Sequence, residues 1–246
     1  MTKVAIICGT DLRQYSGLEL TREVAASSAY GERSSAIFAS SAFAQDVFFM
    51  ARHGVQSSIA PHQINYRANI DALKSLGVTQ IIAVNTVGGL HSSMAPGTWI
   101  CPDQIIDYTY GREQTFFDGV NKPMKHIDFS FPFSGSLRDS LIAFADEQGL
   151  PIVKYGTYAV TQGPRLETAA EIKRLQADGA HLVGMTMMPE AVLARELDIG
   201  YCSLCLSANW GAGMEQEPLD IDAIYALVKS GFVDVVKFLS EYLKQL

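Results

Sequence analysis

Four short polar turns of the chain carry groups that could bind an anion. Each turn follows an apolar run, and the four comprise residues 9–11, 52–54, 85–89 and 184–186. They offer a guanidinium, an imidazole, hydroxyls and backbone N–H groups, which are the donors that an oxyanion requires. Taken singly, each could instead be an ordinary turn, and Arg52 with His53 could form a surface ion-pair group.

Five runs of the chain, three of which lead into these turns, have the composition of strands that are covered on both faces. Residues 4–8, 47–51, 81–84, 158–161 and 201–208 are continuously apolar, as in the strands of a mostly parallel sheet. Open α/β sheets bind their ligands at the carboxyl ends of the strands. Four donor-bearing turns at one such edge therefore predict a site for an anion of the size of phosphate.

Segments with helical periodicity alternate with these strands along the whole chain. They are predicted at 63–76, 137–147, 190–197 and from Asp220 onward, and residues 168–171 are typical of a capping box that opens another helix. Because no linker divides the chain, we predict one α/β domain over residues 1–246, with a single mixed β-sheet flanked by helices. Segment 109–136 is irregular and rich in aromatic residues, which is typical of a functional or interfacial loop.

The overall composition limits the possible partners. The 246 residues are 48% hydrophobic and carry a formal net charge of −7. A nucleic acid or an anionic membrane would need a basic face, so neither is an expected partner. The chain has no apolar stretch of about 18 residues, the length that could span a membrane. Its first residues lack the pattern of a signal peptide, and we expect a cytoplasmic protein.

The cysteines Cys8, Cys101, Cys202 and Cys205 lie in apolar runs and are predicted to be buried free thiols. An odd separation within a strand places Cys202 and Cys205 on opposite faces. With no second pair of His or Cys nearby, we expect neither a metal nor a redox role for them.

Several longer motifs, in a fixed order, carry a resemblance to a known family. AIICGT, ARHG, HQINYRANIDALK, VNTVGGL, TQGPRLETAAEI and VGMTMMPEAVLARE resemble the trimeric purine nucleoside phosphorylases and methylthioadenosine phosphorylases, nearly from end to end. Within that family the bacterial methylthioinosine phosphorylases are the most similar branch. The resemblance implies a purine nucleoside phosphorylase-like fold, a homotrimer, and phosphorolysis of a purine nucleoside, with inorganic phosphate as co-substrate and no cofactor.

The resemblance also implies a role for each candidate site residue. The phosphate would be surrounded by Thr10, Arg52, His53, Asn85, Thr86 and Thr186. Met185 would lie under the ribose, Leu166 against the purine face, and Glu167 and Asn209 at the edge of the base. The 5' end of the sugar would contact Ile221, Ile224 and Tyr225, with His126 entering from a neighbouring subunit. At helical spacing, the three residues of the last helix could equally be ordinary core.

The base-contacting pair favours a 6-oxopurine, which presents N1–H as a donor and O6 and N7 as acceptors. The Glu167 carboxylate can accept from N1–H, and the Asn209 amide can donate to N7 or O6. Adenine would place its bare N1 lone pair against the carboxylate. We therefore expect methylthioinosine to be preferred to methylthioadenosine. Alternatively, Glu167 could cap the helix near Thr168, and Asn209 could close a turn.

Four other functions compete with this one. Within the same class, the chain could be a methylthioadenosine phosphorylase or a general inosine/guanosine phosphorylase. It could also be a nucleoside-binding protein without catalysis, or a dinucleotide-dependent oxidoreductase, although the G-x-G-x-x-G fingerprint is absent.

Asp11 departs from the family pattern, which has Gly there, and would bring a negative charge close to the phosphate.

Overall fold

The computed structural model describes residues 2–215 and 220–246, and in this part of the chain eleven strands form one mixed sheet. The strands are β1 (Val4–Cys8), β2 (Leu20–Val24), β3 (Ile37–Ser40), β4 (Val47–Ala51), β5 (Gln80–Gly89), β6 (Trp99–Ile100), β7 (Gln104–Asp107), β8 (Ile152–Val153), β9 (Thr157–Val160), β10 (Leu182–Gly184) and β11 (Gly200–Trp210). Together with the helices described below, this confirms the predicted fold class.

The long central strand β5 organises the sheet. β1 runs parallel to its first half, β10 runs antiparallel to its last two residues, and β11 runs parallel to it along the other edge. β4 lies parallel to the far side of β1. The carboxyl ends of β1 and β4 therefore lie beside the middle of β5, where β10 approaches.

Five helices in the described residues cover the two faces of the sheet. They are α1 (Tyr66–Ser75), α2 (Gly135–Glu147), α3 (Ala169–Ala177), α4 (Met187–Glu196) and α5 (Ile221–Leu243). α1 and α4 pack into one core layer, and α2 and α5 pack into the layer on the opposite face. α3 contributes to a third, smaller cluster.

The alternation of strand side chains explains these two layers. In β1, Ala5 and Ile7 belong to one layer, whereas Val4, Ile6 and Cys8 belong to the other. In β11, Cys202 and Cys205 are likewise in different layers, as predicted. All four cysteines are free and buried, which confirms that prediction, and burial raises the pKa of Cys8 to about 12.

Helix starts follow local hydrogen-bonding chemistry. The predicted capping box at α3 is confirmed, because Thr168 Oγ1 accepts from Glu171 N–H at 3.2 Å and Glu171 accepts from Thr168 N–H at 2.7 Å. The capping carboxylate is thus Glu171 and not Glu167. Asp220 caps α5 by accepting from Ala223 N–H, close to the predicted start of that helix.

Several predicted boundaries differ from the structure by a few residues, and two of these differences have a clear local cause. Residues 85–89 were expected to form a turn after a strand, but they continue β5, because β11 and β10 provide pairing partners for them. α1 begins at Tyr66 and not at residue 63, since a 3-10 turn at Pro61–Gln63 and the Asn65 cap precede it.

The segment between β7 and α2 contains no helix or strand, which confirms the prediction that it is irregular. It exposes several large apolar side chains: Tyr110, Val120, Met124 and Phe131. Among residues 2–215 and 220–246, no helix has the length and hydropathy needed to cross a membrane.

Candidate active site

A cavity of about 540 Å³ opens at the strand ends where the four polar stretches were predicted to meet. Thirteen of the fourteen candidate site residues line it: Thr10, Arg52, His53, Asn85, Thr86, Leu166, Glu167, Met185, Thr186, Asn209, Ile221, Ile224 and Tyr225. The exception is His126, which is exposed on the irregular segment and does not line the cavity of its own chain. The individual contacts with ligands stay predictions.

Strand register explains why the predicted phosphate residues converge. Cys8 of β1 pairs with Ala51 of β4 on one side and with Val84 of β5 on the other. The residues that follow these three, Gly9, Arg52 and Asn85, therefore lie at the same level of the sheet. A hydrogen bond of 2.7 Å from Arg52 N–H to the Cys8 carbonyl ties two of these ends together.

Arg52 lies at the base of the cavity, almost fully buried at 1% exposure, and is paired with the carboxylate of Glu190, which is not among the predicted site residues. Its Nε and Nη2 donate to the two oxygens of Glu190 at 2.7 and 2.8 Å. Tyr201 also donates to Glu190, at 3.0 Å. Burial alone would lower the pKa of Arg52, but the charge and hydrogen bonds of Glu190 raise it above its usual value.

The remaining donors of Arg52 are almost all used. Nη1 donates to the Val84 carbonyl at 3.3 Å and Nη2 to the Ile7 carbonyl at 3.4 Å. A guanidinium has five N–H groups. Four therefore have partners, and one N–H on Nη1 is left for a ligand. Glu190 could have been suspected from sequence, because a carboxylate within the apolar start of α4 must be paired if it is buried.

His53 has a defined tautomer. Its Nδ1 lies 2.8 Å from the Ile59 carbonyl, so Nδ1 carries the proton and a neutral ring has its lone pair on Nε2. Burial lowers the pKa of His53, the hydrogen bond to Ile59 opposes this, and the nearby Arg52 charge lowers it further. The ring lies close to Gly9, since a Cβ there would be 3.3 Å from His53 Cδ2.

A chain of hydrogen bonds links the start of α4, β5 and β11 next to this part of the cavity. Thr186 Oγ1 donates to Asn85 Oδ1 at 3.0 Å, and Asn85 Nδ2 donates to Ser203 Oγ at 2.7 Å. The only hydroxyl proton of Thr186 is thus directed at Asn85. Thr86 differs, because it is exposed within a strand that is otherwise mostly buried and its side chain is available at the cavity.

The charge of Asp11 is neutralised locally. Its carboxylate accepts from Arg13 Nε and Nη2 at 2.6–3.0 Å, and it caps the 3-10 turn that follows. Burial would raise the pKa of Asp11, but the hydrogen bonds from Arg13 outweigh it and lower the pKa. Asp11 does not line the cavity, and we therefore expect it to repel a bound phosphate less than its position in the sequence suggested.

The base-recognising candidates, Glu167 and Asn209, lie at the same cavity. Glu167 Oε1 accepts from Thr161 Oγ1 at 2.6 Å, and in the described part of the chain Oε2 has no hydrogen-bond partner. Asn209 Nδ2 donates to the Trp210 carbonyl at 2.6 Å, which leaves its second N–H and its oxygen for other partners. One carboxylate and one amide are thus available to a ligand.

The sugar-binding candidates come from two elements. Met185 packs against Gly163, where a Cβ would lie 2.5 Å from the Met185 sulfur, so a larger residue at Gly163 would displace it. The first turns of α5 supply Ile221, Ile224 and Tyr225 to the cavity, and Ile221 and Tyr225 are 46% and 69% exposed. They are therefore not ordinary core residues.

The chain is similar to known proteins over most of its length. The family model described as the phosphorylase superfamily matches residues 3–244. A protein of Xylella fastidiosa named "Probable S-methyl-5'-thioinosine phosphorylase" is 48% identical, over 85% of this chain and 89% of its own. The 6-oxopurine nucleoside phosphorylase of Pyrococcus furiosus is 41% identical, over 97% of this chain and 91% of its own.

Among solved structures, a variant of the adenosine/methylthioadenosine phosphorylase from Schistosoma mansoni, in complex with methylthioadenosine, superposes with a TM-score of 0.90. It is 28% identical, and the match covers 99% of this chain and 91% of that one. This similarity confirms the predicted purine nucleoside phosphorylase-like fold. The chain belongs to the phosphorylase superfamily.

Proposed function

We propose that the protein cleaves the N-glycosidic bond of S-methyl-5'-thioinosine with inorganic phosphate, giving hypoxanthine and 5-methylthioribose 1-phosphate. One observation carries the proposal. A single cavity combines hydrogen-bond donors for an anion at Arg52 and Thr86, and the titratable ring of His53, with a carboxylate and an amide at Glu167 and Asn209. The first group suits a phosphate, and the second suits the edge of a 6-oxopurine.

The proposed chemistry needs only charge stabilisation and proton placement. As the C–N bond stretches, the sugar becomes cationic, and a phosphate held at the strand ends stabilises this charge before it captures C1'. Asn209 donates to N7, so that the departing purine does not carry an unsolvated negative charge. Excluding water from the cavity favours phosphate over water as the nucleophile. No cofactor takes part in this scheme.

The base preference follows from Glu167. Thr161 fixes one oxygen of its carboxylate, and the other is free to accept from N1–H of hypoxanthine. Against adenine, the same oxygen would face a lone pair. Leaving a buried acceptor unpaired costs roughly 1–3 kcal/mol, which corresponds to about tenfold to a hundredfold in preference. The names of the Xylella and Pyrococcus relatives support this choice.

The 5' substituent is assigned from the lining contributed by α5. Ile221 and Ile224 present aliphatic groups to the cavity, and a thioether is poorly hydrated and suits such a surface better than a hydroxyl does. We further propose that the enzyme is a homotrimer in which His126 completes a neighbour's site, and that it works in the cytoplasm, where its four thiols stay reduced.

The test is an assay of purified protein with methylthioinosine, in the presence and absence of phosphate. We expect hypoxanthine and a pentose 1-phosphate to appear together, and only with phosphate. Equal cleavage in phosphate-free buffer would indicate a nucleosidase instead. Equal turnover of inosine would identify a general inosine phosphorylase, and nucleoside binding without any cleavage would identify a binding protein.

A further inference from the structure

Arg112 is a buried side chain that no part of the proposed chemistry uses. It comes from the irregular segment between β7 and α2, is 9% exposed, and does not line the cavity. Its guanidinium nevertheless contacts three separate parts of the chain, two of which lead directly to residues that line the nucleoside half of the cavity.

The contacts of Arg112 are mostly with backbone carbonyls. Nη1 donates to the carbonyls of Met185 and Met188 at 2.8 and 2.6 Å, and lies 3.2 Å from Tyr66 Oη. Nη2 donates to the carbonyl of Gln162 at 3.0 Å, with a longer contact to Thr161. Nε donates to the side chain of Gln162 at 3.2 Å.

The charge of Arg112 has no acidic partner nearby. Among the described residues, no carboxylate oxygen lies within 4.0 Å of its guanidinium, in contrast to Arg52, whose charge Glu190 cancels. Carbonyl oxygens at fixed points therefore supply almost all of its stabilisation. A planar fork of five donors fits such a set, whereas a lysine ammonium has three donors at a single point.

The carbonyls that Arg112 holds belong to the segments that carry the nucleoside-binding candidates. Met185 lines the cavity itself, and the segment that begins at Thr161 leads to Leu166 and Glu167. Thr161 also binds the Glu167 carboxylate through its hydroxyl, at 2.6 Å. Arg112 thus joins the β10–α4 junction, through Met185 and Met188, to the β9–α3 connection, through Thr161 and Gln162.

We propose that Arg112 is a positioning residue for the nucleoside, which sets the distance between Met185 under the sugar and Glu167 at the base. This inference rests on the proposed function of the cavity. It assigns the two buried arginines to different substrates: Arg52 lies in the phosphate half, and Arg112 supports the nucleoside half without touching either ligand.

The test compares Arg112→Ala and Arg112→Lys with a matched control, Arg138→Ala. Arg138 also donates to three carbonyls, those of Cys101, Pro102 and Lys154, but none of these residues lines the cavity. We expect Arg112→Ala to raise KM for the nucleoside by at least about tenfold, with a change of less than about threefold in KM for phosphate. Arg112→Lys should restore little, and Arg138→Ala should change neither constant.

A small guanidinium compound, added far below denaturing concentrations, should partly restore kcat/KM in Arg112→Ala and have no effect on wild type. Equal changes in both KM values, or the same loss in Arg138→Ala, would mean that Arg112 is only structural. If Arg112→Ala does not fold, Arg112→Lys supplies the same KM comparison.

Amide hydrogen exchange provides a readout that does not depend on activity. In Arg112→Lys, residues 161–168 and 184–188 should exchange faster than in wild type, and in an Arg138→Lys variant they should not. Unchanged exchange in both segments would overturn the inference. A wild-type protein that cleaves no nucleoside would instead overturn the proposed function, while the exchange result would still decide the role of Arg112.

Discussion

Arg52 and Glu190 form a buried ion pair at the floor of the cavity, and its neutrality has a consequence for phosphate binding. With the guanidinium charge cancelled, Arg52 contributes mainly one directed N–H and not a free positive charge. A resident pair of this kind also keeps the site stable when it is empty, because neither charge is left without a partner.

Replacing Glu190 with Gln should separate the effect of this ion pair on stability from its effect on phosphate binding. The variant leaves a buried cation uncompensated, and we expect the free energy of unfolding to fall by about 3–5 kcal/mol. Added phosphate should recover more stability in this variant than in wild type, because the anion supplies the missing charge. Urea unfolding with and without phosphate measures both quantities.

Glu196→Gln is the matched control, since Glu196 is also buried in α4 but binds Thr115 and Phe116 and does not line the cavity. It should lose stability without gaining any additional response to phosphate. The same phosphate response in both variants would contradict the neutralising role of Glu190.

His53 makes phosphate binding sensitive to pH. Because burial lowers its pKa, the ring of the free enzyme is neutral near pH 7 and presents a lone pair on Nε2. A bound phosphate raises that pKa, so binding takes up a proton and is favoured at low pH. KM for phosphate, expressed as the concentration of the dianion so that the titration of phosphate itself is removed, should therefore rise as the pH increases above about 6.5, by up to about tenfold per unit.

The matched variant for this pH effect is His53→Gln, whose amide can donate to a phosphate without taking up a proton. Its KM for phosphate should be higher than that of wild type at low pH and should vary less with pH. A wild-type profile that is flat, or one that keeps its slope in the variant, would exclude His53 as the titrating group.

At the scale of elements, the sequence predicts some boundaries well and others poorly, for identifiable reasons. β1 and β4 have the predicted ends, because an apolar run is flanked by polar or turn-forming residues on both sides. β5 continues past Asn85 because distant strands pair with it, and local composition carries no information on such partners. The two-residue strands β6 and β8 are too short to show any periodicity.

The placement of α5 depends on a glycine in its middle. A Cβ on Gly231 would lie 2.4 Å from Leu206 Cδ2, so the helix approaches β11 as closely as it can. Gly231→Ala gains about 1 kcal/mol of helix propensity, but overpacking of this contact costs roughly 1–3 kcal/mol. We expect α5 to shift and the 5' end of the cavity, lined by Ile221 and Ile224, to widen.

The kinetic expectation for Gly231→Ala is a higher KM for methylthioinosine and a smaller advantage over inosine, with little change in KM for phosphate. Gly135→Ala in α2 is the matched helical control, because a Cβ there meets no atom within 4 Å. Retention of the wild-type preference for the methylthio group would show that α5 does not set it.

At the scale of the whole molecule, the irregular segment exposes a group of apolar side chains: Tyr110, Val120, Met124 and Phe131 are 71%, 88%, 70% and 75% exposed. Exposure of this extent in one segment is typical of a protein–protein interface. His126 lies in the same segment, away from the cavity of its own chain. These observations support the proposed trimer.

Mixing two inactive variants tests whether His126 serves a neighbour. His126→Ala and Asn209→Ala should each lose activity. When equal amounts of the two variants are mixed and form hybrid trimers, about a quarter of all sites in the mixture should become active again. A restored site contains Asn209 from one subunit and His126 from the next. An active monomer in sedimentation experiments, or a mixture that regains nothing, would contradict the shared site.

The candidate site could be assembled from sequence to the extent that its residues follow strand ends. Thr10, Arg52 and Asn85 were predicted to meet because parallel strands end at the same edge, and they line one cavity. Glu190 and Arg112 could not be found in this way. Arg52, the charged partner of Glu190, lies 138 residues away along the chain, and the partners of Arg112 lie 46 to 76 residues away, so strand ends do not point to either pairing.

Selection of a 6-oxopurine by Glu167 and Asn209 is measured directly by the ratio of kcat/KM for methylthioinosine to that for methylthioadenosine. It is measured in wild type, Glu167→Ser, Asn209→Asp and the double variant, because contacts to one base are not additive. We predict a ratio of about 10–100 in wild type and a reversed ratio in the double variant. A wild-type preference for methylthioadenosine, or a double variant with an unchanged ratio, would contradict the account.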